Sequence, residues 1–463
     1  MFGVSRTTVD AALQELTALG LLISQPRSGL YPAPGAPRST TQSSRPWPAA
    51  AAGPTTAAGD AVDWSAHLLP QDDPWQTKSV SDPDYLDHPY PFLPGQIAPG
   101  AFPERAWLRA TAQAFERAHS VYAVRDSADA DDALLVEALI THVLPSKGIR
   151  ARPEQVLITA GVQQALSLLA GALLDPGRTV AVEDPGYVDA ARIFHRSRAR
   201  LELFPVDARG VRPDYRTDFD LIYVTPSHQH PTNTTLHASR RREMLAQAAA
   251  KDFLVIEDDF DSEIRFRGAP TAPLRAHDTS GRVIYLGTFS KFLAPALRLG
   301  YVVAEAPIID ELRERRYLST KHPSGLDQRA LALFITSGDF HRALRKHRTD
   351  LRRNWEAVTT ALHEHLPWPL ATVPSGGLSF WVTGPDDFDA TAMAERAREL
   401  GVLVIPGERY YLREPAPRSS FRLGFNSIRL AQVEPGIALL ARAIRETGGA
   451  GQRAVHPPST SRV

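Results

Sequence analysis

Apolar residues along this chain follow a helical spacing in some stretches and form short continuous runs in others. Between Val9 and Leu19 they recur every three or four residues and stop at Gly20, which predicts one amphipathic helix. Two short apolar runs at 21–24 and 30–31 flank a polar turn, a pattern typical of a β-hairpin. Farther along, strand-like runs alternate with helical patterns, which predicts a long α/β body.

Composition separates this body from the first helix and hairpin. Of the 30 residues after position 31, 25 are Pro, Gly, Ala, Ser or Thr, which indicates an extended linker. Within the body we expect a large part at about 121–308 and a small part formed by 62–120 and 309–447. The expected boundaries are a head at 1–31, a linker at 32–61, the body at 62–447 and a frayed tail at 448–463.

Charge and cysteine content exclude several classes of function. Lys plus Arg and Asp plus Glu both total 52, so the net charge of zero gives no general attraction to nucleic acid or anionic membranes. Cysteine is absent, which excludes disulfides, thiolate nucleophiles and iron–sulfur clusters. The most apolar stretch, at 156–174, is interrupted by polar residues, so we expect no membrane span and a cytoplasmic location.

The helix and hairpin of the head match the second half of a winged helix-turn-helix. Small hydroxyl and arginine side chains at the start of a recognition helix and in the wing can contact phosphates and base edges. The alternative is an ordinary amphipathic helix beside a hairpin, because Asp10 and Glu15 balance the two arginines. The candidate DNA-binding residues are Ser5, Arg6, Thr7, Thr8 and Arg27.

A lysine at the end of an apolar strand is the strongest chemical signal in the body. The run at 281–287 is followed by Thr288, Ser290 and Lys291, and Arg298 lies seven residues later. A partly desolvated lysine near other cations loses its proton and attacks an aldehyde, as the lysine that forms a Schiff base with pyridoxal phosphate must do. The two hydroxyls and the arginine would then bind the phosphate. A solvated surface lysine is the alternative.

An acidic run ends a second apolar strand 33 residues before this lysine. Strand ends are where parallel sheets bind ligands, and a carboxylate there holds a pyridinium N–H and makes the ring an electron sink. Asp258 is our candidate, although the spacing does not exclude Asp259. The competing interpretation is a divalent-metal cluster formed by Glu257, Asp258, Asp259, Asp261 and Glu263 with His228 and His230.

Two further strand ends carry candidate cofactor contacts. A strand at 156–159 is followed by a turn at Gly161 and Val162 and then by a helix, whose N-terminal N–H groups attract phosphate. Tyr187 follows another strand and offers a ring that could stack on a flat cofactor, although it could equally be a core residue.

Together these motifs resemble known families. The head is similar to the DNA-binding module of GntR-type regulators at 3–9, 19–22 and 27–29, and the body resembles fold-type I pyridoxal-phosphate aminotransferases over about 91–446. The combination resembles MocR-type regulators. The resemblance implies an α/β fold with a mostly parallel, seven-stranded-type sheet covered by helices on both faces, a small α+β domain, and a partial winged helix before them. Further matching runs lie at 184–187, 225–229, 257–263, 287–301 and 421–425.

The resemblance also implies roles for individual residues. Lys291 would form the internal aldimine, Asp258 would pair with the pyridine nitrogen, and Tyr187 would stack on the ring. Arg422 would bind the carboxylate of an amino-acid or amine effector, and His230 stands where aminotransferases place an asparagine. The implied partners are DNA and a second copy of the chain in a head-to-tail homodimer. Gly161, Val162, Thr288, Ser290 and Arg298 would hold the phosphate, with Tyr122 added from the partner subunit.

The chain also departs from the pattern of this family. Phe260 replaces the usual tyrosine near the cofactor hydroxyl, Asn233 replaces a glycine, and the loop at 124–129 is altered. We therefore expect the aldimine to form and transamination to be slow or absent. The resemblance of the head begins in mid-module, so we expect the true start upstream and no competent DNA binding by this head alone. The alternatives are a free-standing aminotransferase and a cofactor-binding pseudoenzyme.

Overall fold

The structure is a computed structural model that describes residues 6–25, 29–33, 62–64, 67–68, 73–75, 84–127, 130–269 and 271–448. It divides into two compact units, 1–70 and 71–463, which are described separately. Nearly all of the predicted linker and tail, and the DNA-binding candidates Ser5 and Arg27, lie outside the described residues. The proposed domain boundaries therefore stay predictions.

The first unit contains the predicted helix and hairpin. Helix α1 spans Arg6–Ala18, and strands β1 (Leu22–Gln25) and β2 (Gly29–Pro32) pair antiparallel. The helix ends where Gly20 adopts a φ of +69°, a left-handed conformation that glycine reaches without steric cost. The prediction of this helix and hairpin is confirmed. Its apolar side chains find little cover among the described residues, since Leu19 is 65% exposed and Val9 42%.

The second unit is an α/β body with a small α+β part. Its strands in chain order are β3 (Tyr90–Pro91), β4 (Val156–Thr159), β5 (Thr179–Asp184), β6 (Arg200–Asp207), β7 (Gly210–Val211), β8 (Leu221–Val224), β9 (Leu254–Asp259), β10 (Val283–Thr288), β11 (Gly300–Val303), β12 (Ser379–Thr383), β13 (Val402–Leu403), β14 (Ile405–Pro406) and β15 (Ser420–Gly424). Its helices are α2 (Glu104–Ala114), α3 (Ser120–Val124), α4 (Ala133–Ala138), α5 (Val162–Leu173), α6 (Val188–Arg196), α7 (Ala238–Lys251), α8 (Ala306–Thr320), α9 (Gly325–Thr336), α10 (Asp339–His365), α11 (Ala390–Glu399) and α12 (Leu430–Thr447).

The large sheet has eight strands in the order β4-β11-β10-β9-β8-β5-β6-β7. Strands β10, β9, β8, β5 and β6 run parallel, while β11 is antiparallel to both of its neighbours. The two-residue strand β7 adds an antiparallel edge to the seven strands of the predicted type. Strands β8, β10 and β11 inside the sheet and β4 at its edge are buried almost throughout, as expected for a sheet covered by helices on both faces.

The small part packs helices against short antiparallel strands. Strands β12, β15 and β14 form a three-stranded antiparallel sheet, and β13 pairs with β3. Apolar side chains of α10, α11 and α12 cover these strands and form a separate core. None of the helices in the described part of the chain is long and apolar enough to cross a membrane.

The topology positions the candidate site. Because β5, β8, β9 and β10 are parallel, their carboxyl ends meet at one edge of the sheet. The predicted motifs follow these ends directly, and the turn between β4 and α5 opens at the same edge. Ligands bind at this edge in open α/β sheets.

Candidate cofactor site

A cavity of about 460 Å³ lies at this edge of the sheet. Residues that the sequence did not single out also line it, among them Gly95, Tyr223 and Leu378. The candidate Tyr122 does not line the cavity of this single chain. The predicted residues that do line it are Gly161, Val162, Tyr187, His230, Asp258, Thr288, Ser290, Lys291, Arg298 and Arg422.

Lys291 lies in the turn after β10, and its half-buried side chain lines the cavity. The backbone of Gly95 passes so close that a Cβ added there would lie 3.1 Å from the lysine Nζ. Burial lowers the pKa of Lys291 below its usual value, and the positive charge of Arg422 lowers it further. A lowered pKa increases the neutral, nucleophilic fraction of the amine, as attachment to an aldehyde requires.

Asp258 is the member of the acidic pair that faces the cavity. Its Oδ2 accepts a hydrogen bond of 2.7 Å from the Tyr223 hydroxyl, while its buried Oδ1 has no hydrogen-bond partner among the described residues. Burial raises the pKa of Asp258 to about 7. Asp259 points to the other face of the sheet, where it accepts hydrogen bonds from Lys147 (2.9 Å) and the Tyr285 hydroxyl (2.6 Å).

The other members of the acidic run are occupied by partners within the protein. Glu257 accepts the backbone N–H groups of Leu274 (2.7 Å) and Arg275 (2.9 Å), and Asp261 pairs with His228 at 2.8 Å. No group of three or more histidine, aspartate or glutamate side chains in the described ranges could hold a metal ion. The arrangement of these side chains therefore disfavours the metal-cluster interpretation.

The phosphate end of the cavity is formed by the start of α5 and the guanidinium of Arg298. Gly161 precedes the helix with a φ of +86°, and a Cβ at this position would lie 3.2 Å from the Arg298 Nη2. Arg298 donates to the carbonyl of Ala160 at 3.3 Å, and none of the described carboxylates lies within ion-pairing distance of it. The buried hydroxyl of Ser290 also lacks a partner in the described part of the chain. These donors suit a phosphate.

The opposite end of the cavity contains a buried arginine and a neutral histidine. Arg422 is 4% exposed and donates to Ser379 Oγ (2.8 Å) and His230 Nε2 (2.7 Å). An arginine can only donate, so the Nε2 of His230 must be unprotonated. Burial holds the pKa of His230 well below its ordinary value, and the charges of Arg422 and Lys291 act in the same direction.

Comparison with known proteins identifies the family. The model of the aminotransferase class I and II family matches residues 101–438. The HTH-type transcriptional regulator TauR of Rhodobacter capsulatus is 36% identical over 444 residues, which cover 96% of this chain and 90% of that protein. The probable rhizopine catabolism regulatory protein MocR of Rhizobium meliloti is 30% identical over 448 residues, covering 95% and 86%. The chain belongs to the MocR-type regulators.

MocR-type regulators join a DNA-binding head to an aminotransferase-like body that binds pyridoxal phosphate. The expectations of family, fold, regulatory function and cofactor are therefore confirmed. A solved structure agrees: LysN, an α-aminoadipate aminotransferase of Thermus thermophilus complexed with N-(5'-phosphopyridoxyl)-L-leucine, is 27% identical with a TM-score of 0.73. The match covers 83% of this chain and 99% of LysN.

The residues of this MocR-type chain fit the cofactor. Pyridoxal phosphate carries a phosphate, an aldehyde and a protonated ring nitrogen. The cavity offers the N–H groups at the start of α5, the guanidinium of Arg298, the amine of Lys291, and the unpaired Oδ1 of Asp258. Each chemical group of the cofactor thus has a complementary group in the cavity.

A buried network joins the loops that carry Tyr187 and His230. The carboxylate of Glu183 accepts hydrogen bonds from the Thr225 hydroxyl (2.6 Å) and the Gln229 side chain (3.2 Å). Gln229 also donates to the carbonyl of Pro185 at 2.8 Å. This network ties the loop after β5 to the loop after β8, which fixes both rings at the cavity. The two rings meet edge to face, 5.3 Å apart.

Tyr122, the remaining cofactor candidate, is not among the residues that line the cavity. Tyr122 is 43% exposed on α3, and the guanidinium groups of Arg329 and Arg125 lie 4.4 and 5.2 Å from its ring centre. Its role in a partner subunit's site stays a prediction. Among the DNA-binding candidates, Arg6, Thr7 and Thr8 form the first turn of α1.

Proposed function

We propose that this regulator senses pyridoxal phosphate together with an amino compound through the cavity at the carboxyl edge of its large sheet. The observation that supports the proposal is the convergence of Lys291, Asp258, Arg298 and Arg422 on one cavity, where they present an amine, a carboxylate and two guanidinium groups. When bound, the cofactor supplies an aldehyde that captures amines and a ring that withdraws electrons. The protein then needs to hold it, orient it and exclude water.

The residues divide this task by chemistry. Lys291 provides the amine for the aldehyde, and Asp258 holds the proton on the ring nitrogen through its free Oδ1. Tyr187 covers the ring, with its hydroxyl fixed by Gln163 at 3.0 Å. The start of α5 would hold the phosphate, because helix N–H groups and the helix dipole favour an anion there. The proposed phosphate ligands are Gly161, Val162, Thr288, Ser290 and Arg298.

Arg422 defines the chemistry of the effector. It is a buried cation with no carboxylate within ion-pairing distance among the described residues, and burying a charge without a counterion is costly. A carboxylate of an incoming amino compound would supply this counterion in the bidentate geometry that arginine favours. His230 accepts a hydrogen bond from Arg422 and thereby orients the guanidinium. We therefore propose a carboxylate-bearing amine as the effector.

The regulatory step follows from the two-part organisation of the family. An effector changes DNA binding only if it binds two states of the protein unequally. We propose a head-to-tail homodimer in the cytoplasm, in which cofactor and effector bias the geometry of paired DNA-binding heads. Tyr122 then completes the phosphate site of the partner subunit.

Slow turnover is part of the proposal. Phe260 lines the cavity and meets His230 edge to face at 5.9 Å, but it has no hydroxyl to donate toward the cofactor. Sensing needs capture of the effector, whereas transamination also needs tuned proton transfers. We therefore expect negligible conversion of amino acids with 2-oxoglutarate as acceptor. Turnover at the rate of an enzyme would favour the free-standing aminotransferase instead.

A visible absorption spectrum with borohydride reduction tests the site directly. Wild-type protein with added pyridoxal phosphate should show the visible band of a covalent lysine adduct, and reduction should fix the cofactor on the peptide containing Lys291. Lys291→Ala should abolish both signals. Lys346→Ala is the matched control, because this lysine is exposed and its pairing with Asp350 lies at the surface. A wild-type protein with no visible band at saturating cofactor would overturn the proposal.

A further inference from the structure

Tyr223 lies behind the acid that faces the cofactor. It belongs to β8, the strand next to β9, and is 2% exposed. Its hydroxyl donates to Asp258 Oδ2 at 2.7 Å, and no other donor in the described ranges contacts this carboxylate. The second oxygen of Asp258 is thereby left free at the cavity.

The surroundings of Asp258 otherwise favour its uncharged form. Burial raises the pKa of this carboxyl to about 7, and the negative charges of Asp259 and Asp261 raise it as well. The hydrogen bond from Tyr223 and the positive charge of Lys291 act in the opposite direction. A neutral carboxyl group could not stabilise a protonated ring nitrogen, so the donor behind it matters for cofactor binding.

We propose that Tyr223 is a positioning residue, which keeps Asp258 ionised and turns its free oxygen toward the ring nitrogen of pyridoxal phosphate. The inference rests on the proposed role of Asp258. Tyr223 does not touch the reacting atoms through its hydroxyl, because Asp258 occupies that hydrogen bond. Phe260 has no hydroxyl to tune the cofactor, whereas the hydroxyl of Tyr223 would tune it through Asp258.

The chain contains a matched control for this hydroxyl. Tyr285 is a fully buried tyrosine of the neighbouring strand β10, and its hydroxyl donates to Asp259 at 2.6 Å. Both tyrosines therefore donate to consecutive aspartates of one strand, from equally buried positions. Asp259 also accepts a hydrogen bond from Lys147 and faces away from the cavity. Tyr285→Phe removes the same group as Tyr223→Phe without touching the cofactor side.

The experiment compares two ligands. Wild type, Tyr223→Phe and Tyr285→Phe are titrated with pyridoxal phosphate and with its 1-deaza analogue, in which a C–H replaces the ring nitrogen. Tyr223→Phe should bind pyridoxal phosphate about ten-fold or more weakly, the range expected for a lost hydrogen bond to a charged group, while its affinity for the analogue stays near wild type. Tyr285→Phe should keep the wild-type preference for the nitrogen-containing ring.

The outcomes separate this inference from the proposed function. If Tyr223→Phe keeps the wild-type preference for pyridoxal phosphate over the analogue, or binds both ligands more weakly by the same factor, the role of Tyr223 alone is overturned. Wild type that binds neither ligand, or shows no preference between them, overturns the role of Asp258 as well. A second measurement leaves Tyr223 in place: the infrared difference spectrum between wild type and Asp258→Asn isolates the signal of the Asp258 carboxyl group. At mildly alkaline pH this signal should be that of an ionised carboxylate, and a protonated carboxyl group would contradict the inference.

Discussion

Asp258 and Asp259 have different partners because successive residues of a strand face opposite sides of the sheet. Asp258 faces the cavity and Tyr223, whereas Asp259 faces a buried lysine and Tyr285. The same alternation sends Glu257 away from the cavity to two backbone N–H groups. A cluster of acids in sequence thus becomes one cofactor-facing carboxylate and two structural ones.

Asn233 gives a prediction at the scale of a residue. It has a φ of +59°, and its side-chain amide donates to the carbonyl and hydroxyl of Ser379. Asn233→Gly loses these hydrogen bonds, but glycine adopts the left-handed backbone conformation without strain. Asn233→Ala loses the same hydrogen bonds and is also strained in that conformation. We expect the alanine variant to be less stable than the glycine variant by about 1 kcal/mol. Urea unfolding measures the difference, and equal stabilities would contradict the argument from backbone conformation.

At the scale of elements, the site depends on close approach between strands and helices. Lys291 lies in the turn that follows β10, and β11 returns beside β10 so closely that the ring of Tyr301 lies over Gly287. Helix α5 begins directly at the cavity, and most of its inner face is buried against the sheet. The position of the amine and of the phosphate donors is therefore set by the packing of whole elements.

Two glycine substitutions test this packing in opposite directions. A Cβ at Gly287 would lie 2.2 Å from the Tyr301 ring, so Gly287→Ala should destabilise the protein by about 3 kcal/mol or more. Gly171 lies within α5, and a Cβ there meets only the flexible end of Arg315 at 3.3 Å. Gly171→Ala should therefore stabilise by up to about 1 kcal/mol through helix propensity. Thermal unfolding that showed the same sign for both variants would contradict this account.

At the scale of the whole molecule, buried ionisable groups make stability depend on pH. Burial raises the pKa values of Glu183 and Glu257 to about 7. Each of these two carboxyl groups contributes to the stability of the folded state at low pH. This contribution is lost as the pH rises from the ordinary glutamate pKa of 4.5 toward 7. Burial lowers the pKa of His347 in α10 to about 4, so its contribution is lost in the other direction, as the pH falls below 6.5.

Glu257→Gln isolates one of these contributions. Between its ordinary pKa of 4.5 and the folded value of about 7, the unfolded state has released a proton that the folded state still holds. The free energy of unfolding of the wild type should therefore fall by up to about 3 kcal/mol through Glu257 as the pH rises across that window. The variant should show a smaller difference between mildly acidic and mildly alkaline pH in urea unfolding. An unchanged pH slope would contradict the raised pKa.

Several elements could be predicted closely because their signals are local. The head helix and hairpin, strand β4 and the start of α5 follow from apolar spacing and turn residues within short windows. The acidic run and Lys291 were placed at the ends of β9 and β10 for the same reason. Tyr223 could not be found in this way, because it lies in an apolar run and its partner is 35 residues away. A tyrosine within an otherwise aliphatic buried strand is the signal that could have indicated it.

The sequence by itself determined which chemical groups the protein places at strand ends. Local apolar patterns, turn residues and motifs that match the family predict the strands, the turns and their order. Only the tertiary structure decided that Asp258 rather than Asp259 faces the cavity, that Arg422 meets His230 across two parts of the body, and that Tyr223 supports the acid. The direction of a side chain depends on which face of the sheet packs against which helix, and contacts between distant segments form only when the whole body folds.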